Sequence, residues 1–417
     1  MQMNQKKQKL QGPFGVCTLS VLYVILVTLI PVLGFGGKGT ALNTILKAAI
    51  FIVYLCVLFF GANFKLAVGG GRLYILLAYG LSQVFCLFCS PYPLSIINII
   101  NQAAMLFAVF LLLPQAKGNK QDMINGIKLF VAFDLVAVVY NFVLHFKRFF
   151  TLDFVTNIYY DMYSFFDNKN TYGQILLVTL VLLFYWRSLC SAEAEKTRKR
   201  INILVCVQMF AIAVSMCRSA LVCAIFFLIC LFFRSTTPQK LVGAIALGVL
   251  CVLLLCIPSI RNYVFFILFR VDVGTYREPI VEASLAIIRE NLFFGCGQGA
   301  WEHVLGELSG NSYSHNGFLS VLMNGGLLYF SAYIVIIFRA FAGAARVGRK
   351  HRELGYQIGV FIVAVMIYSF FEATVLCAVN AANFAFTFAA LLLPELYLNI
   401  SDASAAENIN EHKGLIR

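Results

Sequence analysis

Charge is what this sequence has least of. Asp, Glu, Lys and Arg make up 12% of its 417 residues, against about 25% in an ordinary soluble domain. Hydrophobic types make up 61%, and the mean hydropathy is +0.84. No soluble core absorbs that much apolar surface, so soluble enzymes, DNA-binding modules and disordered chains are excluded. Metal-ligand spacing is also missing. No CxxC stands in a polar loop beside His, and Cys86 and Cys89 have the spacing only inside an apolar run. The 13 cysteines mostly sit in such runs, as Cys56, Cys86, Cys206, Cys230 and Cys251 do. There they behave as small hydrophobes. Cys296 is the clear exception, and a lone loop cysteine builds no disulfide framework. The first apolar run follows Lys6, Lys7 and Lys9. It is too long for a signal-peptide core and lacks a small-x-small cleavage site, so it reads as an uncleaved anchor.

What is present is a succession of apolar runs of ~20 residues, each long enough to cross a bilayer as a helix. Hydropathy places about twelve, over 14–35, 41–63, 73–90, 93–114, 127–145, 172–190, 201–217, 219–233, 240–258, 316–338, 356–376 and 379–399. Lys and Arg on alternate loops divide 22 to 9. The excess marks the cytoplasmic side and puts both termini there. The net charge of +13 therefore reads as a topology signal and not as a nucleic-acid surface. The run Arg187, Lys196, Arg198, Lys199 and Arg200 is a topology determinant touching anionic lipid. Nothing in the cytoplasmic loops resembles a nucleotide site. The expected organisation is a single all-α, polytopic membrane domain over 1–399 and a polar, disordered cytoplasmic tail over 400–417. Two outer segments are long, 146–171 and 259–315, and long loops on a compact scaffold tend to carry function.

Four places carry chemistry. Arg218 lies between two apolar runs with almost no loop to hold it. An ionisable group at that depth is either functional or snorkels to headgroups. Residues 270–299 open with Arg270 and Arg277. Glu278, Glu282 and Arg289 then fall on one helical face, with Val281, Leu285, Ile288 and Leu292 on another. Pro279 suits the first turn of that helix, which is expected to lie at the membrane surface as a strut, or with Arg277 aimed at an anion. Gly295-x-Gly297-x-Gly299 follows a helix and not a strand, so it reads as a turn and not as a dinucleotide site. His315, in Tyr313-Ser314-His315-Asn316-Gly317-Phe318, stands at the outer end of a span as a general base or a structural histidine. Glu372 is a rare acid near the outer end of another span, expected to pair with an arginine. The aromatics of 146–171 read as interface belt or as a sugar-stacking surface.

Taken in order, these pieces resemble the O-antigen ligase and polymerase superfamily of bacterial membrane glycosyltransferases. Asn168-Lys-Asn170-Thr-Tyr-Gly173 resembles its Asn-x-Asn-x-x-Gly entry to a central span. Cys217-Arg218-Ser219-Ala220-Leu221 resembles its Ser-Arg-Ser/Gly-Ala/Gly element, with Cys217 in place of Ser. Arg277 to Gly299 resembles its arginine–helix–glycine segment, for which Arg270 is a competing match. Ser314-His315-Asn316-x-Phe318-Leu319 with Gly325-Gly326 resembles its His-Asn-x-aromatic-Leu and glycine element. The resemblance covers roughly 165–340.

It implies a C-type glycosyltransferase fold, while the span reading itself puts the larger outer loop, 259–315, between the ninth and tenth spans. It also implies a multi-pass location in the bacterial inner membrane and an undecaprenyl-diphosphate-linked oligosaccharide substrate, with no cofactor and no metal. Arg218 and Arg277 or Arg270 would bind the diphosphate, and His315 would be the catalytic base. Asn316, Glu372 and Asn170 would support them. A chain-length regulator and a flippase would be protein partners, and membrane lipid a contact. The favoured reading is a polysaccharide polymerase. A ligase onto another acceptor such as lipid A core is the runner-up, and a lipid-linked oligosaccharide flippase is the rival from another class.

Overall fold

The computed structural model describes residues 15–32, 41–61, 65–116, 119–147, 163–166, 168–190, 194–234, 274–378 and 380–401. Among them all regular structure is helical. The helices are α1 (Val16–Val32), α2 (Ala41–Gly61), α3 (Gly71–Cys89), α4 (Ile96–Gln115), α5 (Lys120–Leu144), α6 (Lys169–Leu189) and α7 (Glu195–Val214). There follow α8 (Arg218–Arg234), α9 (Gly274–Glu290), α10 (Ala300–Ser309), α11 (Gly317–Lys350), α12 (Arg352–Phe371) and α13 (Ala381–Ser401). Seven of these, α3–α6 and α11–α13, are long and apolar enough to cross a membrane. α1 and α2 contribute the shorter apolar stretches Val16–Ile30 and Ile45–Phe60. Large apolar side chains such as Phe88, Phe338 and Ile203 point outward from the bundle, at 81%, 69% and 64% exposure. An outward apolar belt of that size suits lipid and not water. The expected span 240–258, Arg270 and most of 146–171 lie outside the described residues, as does the tail from 402.

α6 is the central post. Every side chain from Tyr172 to Leu183 is buried, and α5, α7, α8, α12 and α13 pack around it. α1 leans on α5 through a specific cap. The Asp122 carboxylate accepts the Cys17 N–H at 2.9 Å, the Thr18 N–H at 3.2 Å and the Thr18 hydroxyl at 2.7 Å. It thereby satisfies donors that the first turn of a helix leaves without intrahelical partners.

Several boundaries depart from the sequence reading. α7 starts at Glu195, inside the basic run read as loop, because Lys and Arg are good helix formers and Glu195 pairs with Lys199 at 2.8 Å. α11 runs to Lys350, well past the expected 338, because its charged end is tied to α13 by Arg346–Glu395 at 3.0 Å. α9 begins at Gly274, so Pro279 lies inside it and not in its first turn. The face that α9 buries is Ile280, Ala283, Ser284, Ile287 and Ile288. Val281, Leu285 and Leu292, which share the expected apolar face with Ile288, remain about 40% exposed. The apolar arc is therefore wider than one contact surface. One edge packs on the protein and the other is left for the bilayer interface. The short helix α10 was not foreseen.

α11 is broken within its length. Gly325 and Gly326 leave helical geometry, Gly326 at φ 59° and ψ −160°, a region open essentially to glycine alone. The break frees backbone groups that must bond elsewhere. The segment after α9 satisfies them. Leu327 N–H donates to Leu292 O at 2.8 Å and Leu328 N–H to Phe293 O at 3.1 Å. In return Cys296 N–H donates to Met323 O at 2.8 Å and Gly297 N–H to Asn324 O at 2.9 Å. A Cβ on Gly295 would lie 2.6 Å from Gly325 N. The glycine run is a turn, as expected, and its glycines permit backbone-to-backbone contact with the broken helix.

Candidate active site

The site forms where α12 ends. Glu372 follows the last turn of α12 in extended conformation, its N–H bonded to Tyr368 O at 3.0 Å. It is 4% exposed. Its two carboxylate oxygens face two different elements. Oε1 lies 3.8 Å from Arg277 Nη2 of α9, and Oε2 lies 3.5 Å from His315 Nδ1 at the entry to α11. Both separations exceed hydrogen-bond length. His315 Nδ1 and Glu372 Oε2 are buried and have no hydrogen-bond partner among the described residues. The three groups are thus held in register but not tightly closed, which is common for catalytic contacts without substrate.

His315 is positioned by backbone geometry. Its φ is 51°, the left-handed region that non-glycine residues seldom occupy. The next residue, Asn316, caps α11 by accepting the N–H groups of Phe318 at 2.9 Å and Leu319 at 3.1 Å. Ser314 braces the turn, with its hydroxyl 2.7 Å from that of Ser320. The Tyr313 ring meets the imidazole edge-on at 4.8 Å between centroids. Gly317 lets the turn close on Thr374, the residue two past Glu372, because any Cβ there would overlap the Thr374 carbonyl.

Arg218 is the first residue of α8, half-buried, after a sharp turn in which Met216 has φ 60°. Cys217 fixes that turn to its neighbours. Its Sγ lies 3.4 Å from Ser219 Oγ, 3.5 Å from Tyr368 Oη and 3.7 Å from Asn170 Oδ1. Tyr368 Oη donates to Asn170 O at 3.1 Å. The Asn-x-Asn-x-x-Gly element now has a physical account. Asn168 caps α6 by accepting Thr171 N–H at 2.8 Å. Asn170 meets the α8 turn and α12. Gly173 leaves room for Cys217, which would lie 2.5 Å from a Cβ there. Tyr368 sits one turn before Glu372, so the α8 entry with Arg218 abuts the same end of α12.

The structure therefore brings Arg277 and His315 within ion-pair distance of Glu372, sets Asn316 at the turn beside them, and sets Asn170 and the α8 entry that carries Arg218 against Tyr368, one turn before Glu372. Arg270 lies outside the described residues. Sequence reasoning missed Tyr368, Thr374 and Gln174, whose amide donates to the Thr374 hydroxyl. Tyr368 and Thr374 were signalled only by polar residues about the otherwise apolar end of α12, and Gln174 only as a lone amide in apolar α6. Beside the site, two loop groups respond to burial. Burial pushes the Cys296 thiol up to about 11, with Glu290 adding repulsion, so this cysteine is a structural filler. Burial also pushes Glu302, in the first turn of α10, up to about 6.

Membrane-length apolar helices and a cluster of cations, imidazole and carboxylate at one end of the bundle define a multi-pass membrane protein. Members of the family matched below are membrane glycosyltransferases of polysaccharide biosynthesis. Residues 201–334, from α7 into α11, match the family model described as O-antigen ligase. That segment lies within the stretch, roughly 165–340, whose motifs resemble the O-antigen ligase and polymerase superfamily. Arg218, Arg277 and His315 lie inside the matched segment, while Asn170 and Glu372 lie outside it. No curated protein matches the chain.

Proposed function

We propose that this chain is a polysaccharide polymerase. It transfers a growing glycan from undecaprenyl diphosphate to the non-reducing end of a fresh lipid-linked repeat unit at the outer membrane face. The observation that carries the reading is the contact of His315 and Arg277 with the two oxygens of Glu372. A hydroxyl of the incoming unit attacks the anomeric carbon of the donor. As the new C–O bond forms, the bond from that carbon to the diphosphate breaks with inversion. The hydroxyl proton passes to His315 Nε2, which is the free ring nitrogen when Nδ1 faces Glu372. The diphosphate leaves with its electron pair, and its charge is met by Arg218 and Arg277, with Arg270 a further candidate. Planar guanidinium groups suit phosphate oxygens. Asn170 and Asn316 hold the entries of α6 and α11 in place.

Arginine stabilisation of the leaving group makes the reaction independent of divalent metal. Purified protein with synthetic undecaprenyl-diphosphate repeat units should build a ladder of products in EDTA. His315→Ala and His315→Gln should both leave single units unjoined while folded protein remains. A reaction that stops in EDTA and returns with magnesium overturns the metal-free reading. A fully active His315→Gln removes His315 from proton transfer.

The matched family's description favours a second reading, a ligase that moves finished glycan to a different acceptor. The same assay separates the two. A polymerase elongates lipid-linked units alone, whereas a ligase needs an added acceptor. A flippase forms no glycosidic bond in either arrangement.

A further inference from the structure

The other end of the bundle, away from His315, holds a second concentration of charge. Arg72 opens α3, Arg339 and Arg346 lie on the last turns of α11, and Glu395 lies near the end of α13. Glu395 bridges two of the arginines, with Oε1 3.0 Å from Arg72 Nη2 and Oε2 3.0 Å from Arg346 Nη2. Arg339 lines the same cleft, within electrostatic reach of Arg72, Arg346 and Glu395. Among the described residues it has no carboxylate within ion-pair distance. Three guanidinium groups therefore face one carboxylate. Arg72 Nε is buried and without a hydrogen-bond partner there.

The cleft between them is about 30 Å³. One water needs roughly 10–15 Å³, so about two oxygen-sized groups fit. Its apolar wall comes from α4 and α13, at Phe110 and Leu392 among others. Those two residues lie in Ala108–Leu112 and Phe388–Leu392, the two π-helical segments among the described residues. π-bulges are rare and recur at functional sites, because they cost helix geometry. Here both are spent on one cleft. An excess of forked cations above an apolar wall at a bundle end has the composition of a phosphate site. Arginine pairs with phosphate oxygens bidentately, and an acyl chain can follow the wall.

We propose that this cleft binds a phosphate group at the membrane face opposite the transfer site. The source is a phospholipid headgroup or free phosphate. Protein purified in a neutral detergent would be studied by native mass spectrometry with dioleoyl phosphatidylglycerol. Dioleoyl phosphatidylcholine is the control and inorganic phosphate the competitor. Arg339→Gln is the first variant, because Arg339 has no carboxylate partner to strand. Arg339→Gln with Arg346→Gln is the second, and it leaves Glu395 paired to Arg72. Arg339→Lys keeps the charge but not the fork.

The wild type should retain phosphatidylglycerol about tenfold or more better than Arg339→Gln, with the double variant weaker still and Arg339→Lys between. Loss of the bound lipid on adding inorganic phosphate identifies a site for the phosphate group alone. Retention identifies a headgroup site that needs the acyl chains as well. Equal retention by the wild type and the folded single variant, with no phosphate bound by either, overturns the proposal. Circular dichroism on the same samples identifies any variant that has failed to fold. If the double variant unfolds, the single variant decides the test.

Discussion

Replacing Glu372 by Gln tests the site at its hub. The substitution keeps shape and removes one negative charge. In the native arrangement that charge sits 3.8 Å from the Arg277 guanidinium. At an effective dielectric of ~20 such a separation corresponds to about 4 kcal/mol of attraction before solvation is counted. The glutamine amide keeps one oxygen and turns a donor toward the other partner, so it cannot hold Arg277 and the His315 Nδ1–H together. Folding should survive, because the carboxylate is the buried member of the set at 5% exposure and Arg277 is 38% exposed. A neutral amide removes a buried charge and leaves the arginine partly in water. Released from Glu372, Arg277 is freer to meet the donor diphosphate, so donor KM should change little.

Turnover should fall by roughly 10²–10⁴, the range associated with losing general-base function or the carboxylate that orients a catalytic histidine. Steady-state assays with lipid-linked repeat units would give kcat and KM separately. Glu372→Asp, one methylene shorter, should recover part of the rate, since it restores charge without reaching both partners. Wild-type turnover in Glu372→Gln would refute the orienting role. A large rise in donor KM with unchanged kcat would instead mean that Glu372 acts only in substrate binding.

Three further outcomes follow from particular contacts. Gly326→Ala should lower stability by about 3 kcal/mol or more, from ~1–3 kcal/mol of backbone strain and the weakening of hydrogen bonds worth ~0.5–1.5 kcal/mol each. An unchanged thermal midpoint in detergent would contradict this. Glu302 binds its proton more tightly folded than unfolded, so its burial should make stability fall as pH rises from about 4.5 through about 6. Glu302→Gln should flatten that slope and raise the midpoint at pH 7, and an identical pH profile in the variant would remove Glu302 as the cause. Asp134 in α5 is fully buried beside Gln208 and Thr179, and neither carboxylate oxygen makes a well-formed hydrogen bond among the described residues. Asp134→Asn should therefore keep or improve stability, since its amide can donate to the Gln208 oxygen left open in α7. Loss of folded protein would show that the charge itself is required.

Hydropathy was enough to find the seven membrane-length helices among the described residues, out of about twelve expected spans, because lipid-length runs need no partner to be recognised. It was blind to the break in α11. Glycine scarcely perturbs a hydropathy average, and the pairing of Gly325–Gly326 with 292–297 is a tertiary event. It also ended α11 and began α7 at their charges, although Lys and Arg continue a helix into water readily. At the site, Arg218, Arg277, His315 and Glu372 each stood out as ionisable groups beside apolar runs. That Glu372 would meet both Arg277 and His315 was not legible, since 57 residues separate His315 from Glu372 and nothing in spacing fixes which span ends become neighbours. Tyr368 and the Arg72–Glu395–Arg346 bridge were invisible for the same reason.

The hydrogen bonds between 292–297 and 323–328 close a loop in the covalent chain, with both ends fastened to the same stretch of backbone. Arg277 hangs just before the first fastening, and His315 sits inside the loop, at the start of the helix that carries the second. What lies between, α10 and its flanking turns, begins and ends on that one clasp. The inner face of α10, Ala300, Trp301 and Leu305, packs with α9 and Met323, while His303, Glu307 and Leu308 face outward and can vary with the clasp shut. On the proposed function, two enzymes sharing this clasp present different surfaces to incoming sugars, and the natural place to exchange acceptor preference between them is the exposed face of α10 at His303, Glu307 and Leu308, which spares the packed Trp301 and Leu305 and the Tyr313 ring against His315. Swapping it would be a graft onto a fixed frame, with the reacting groups left where they are.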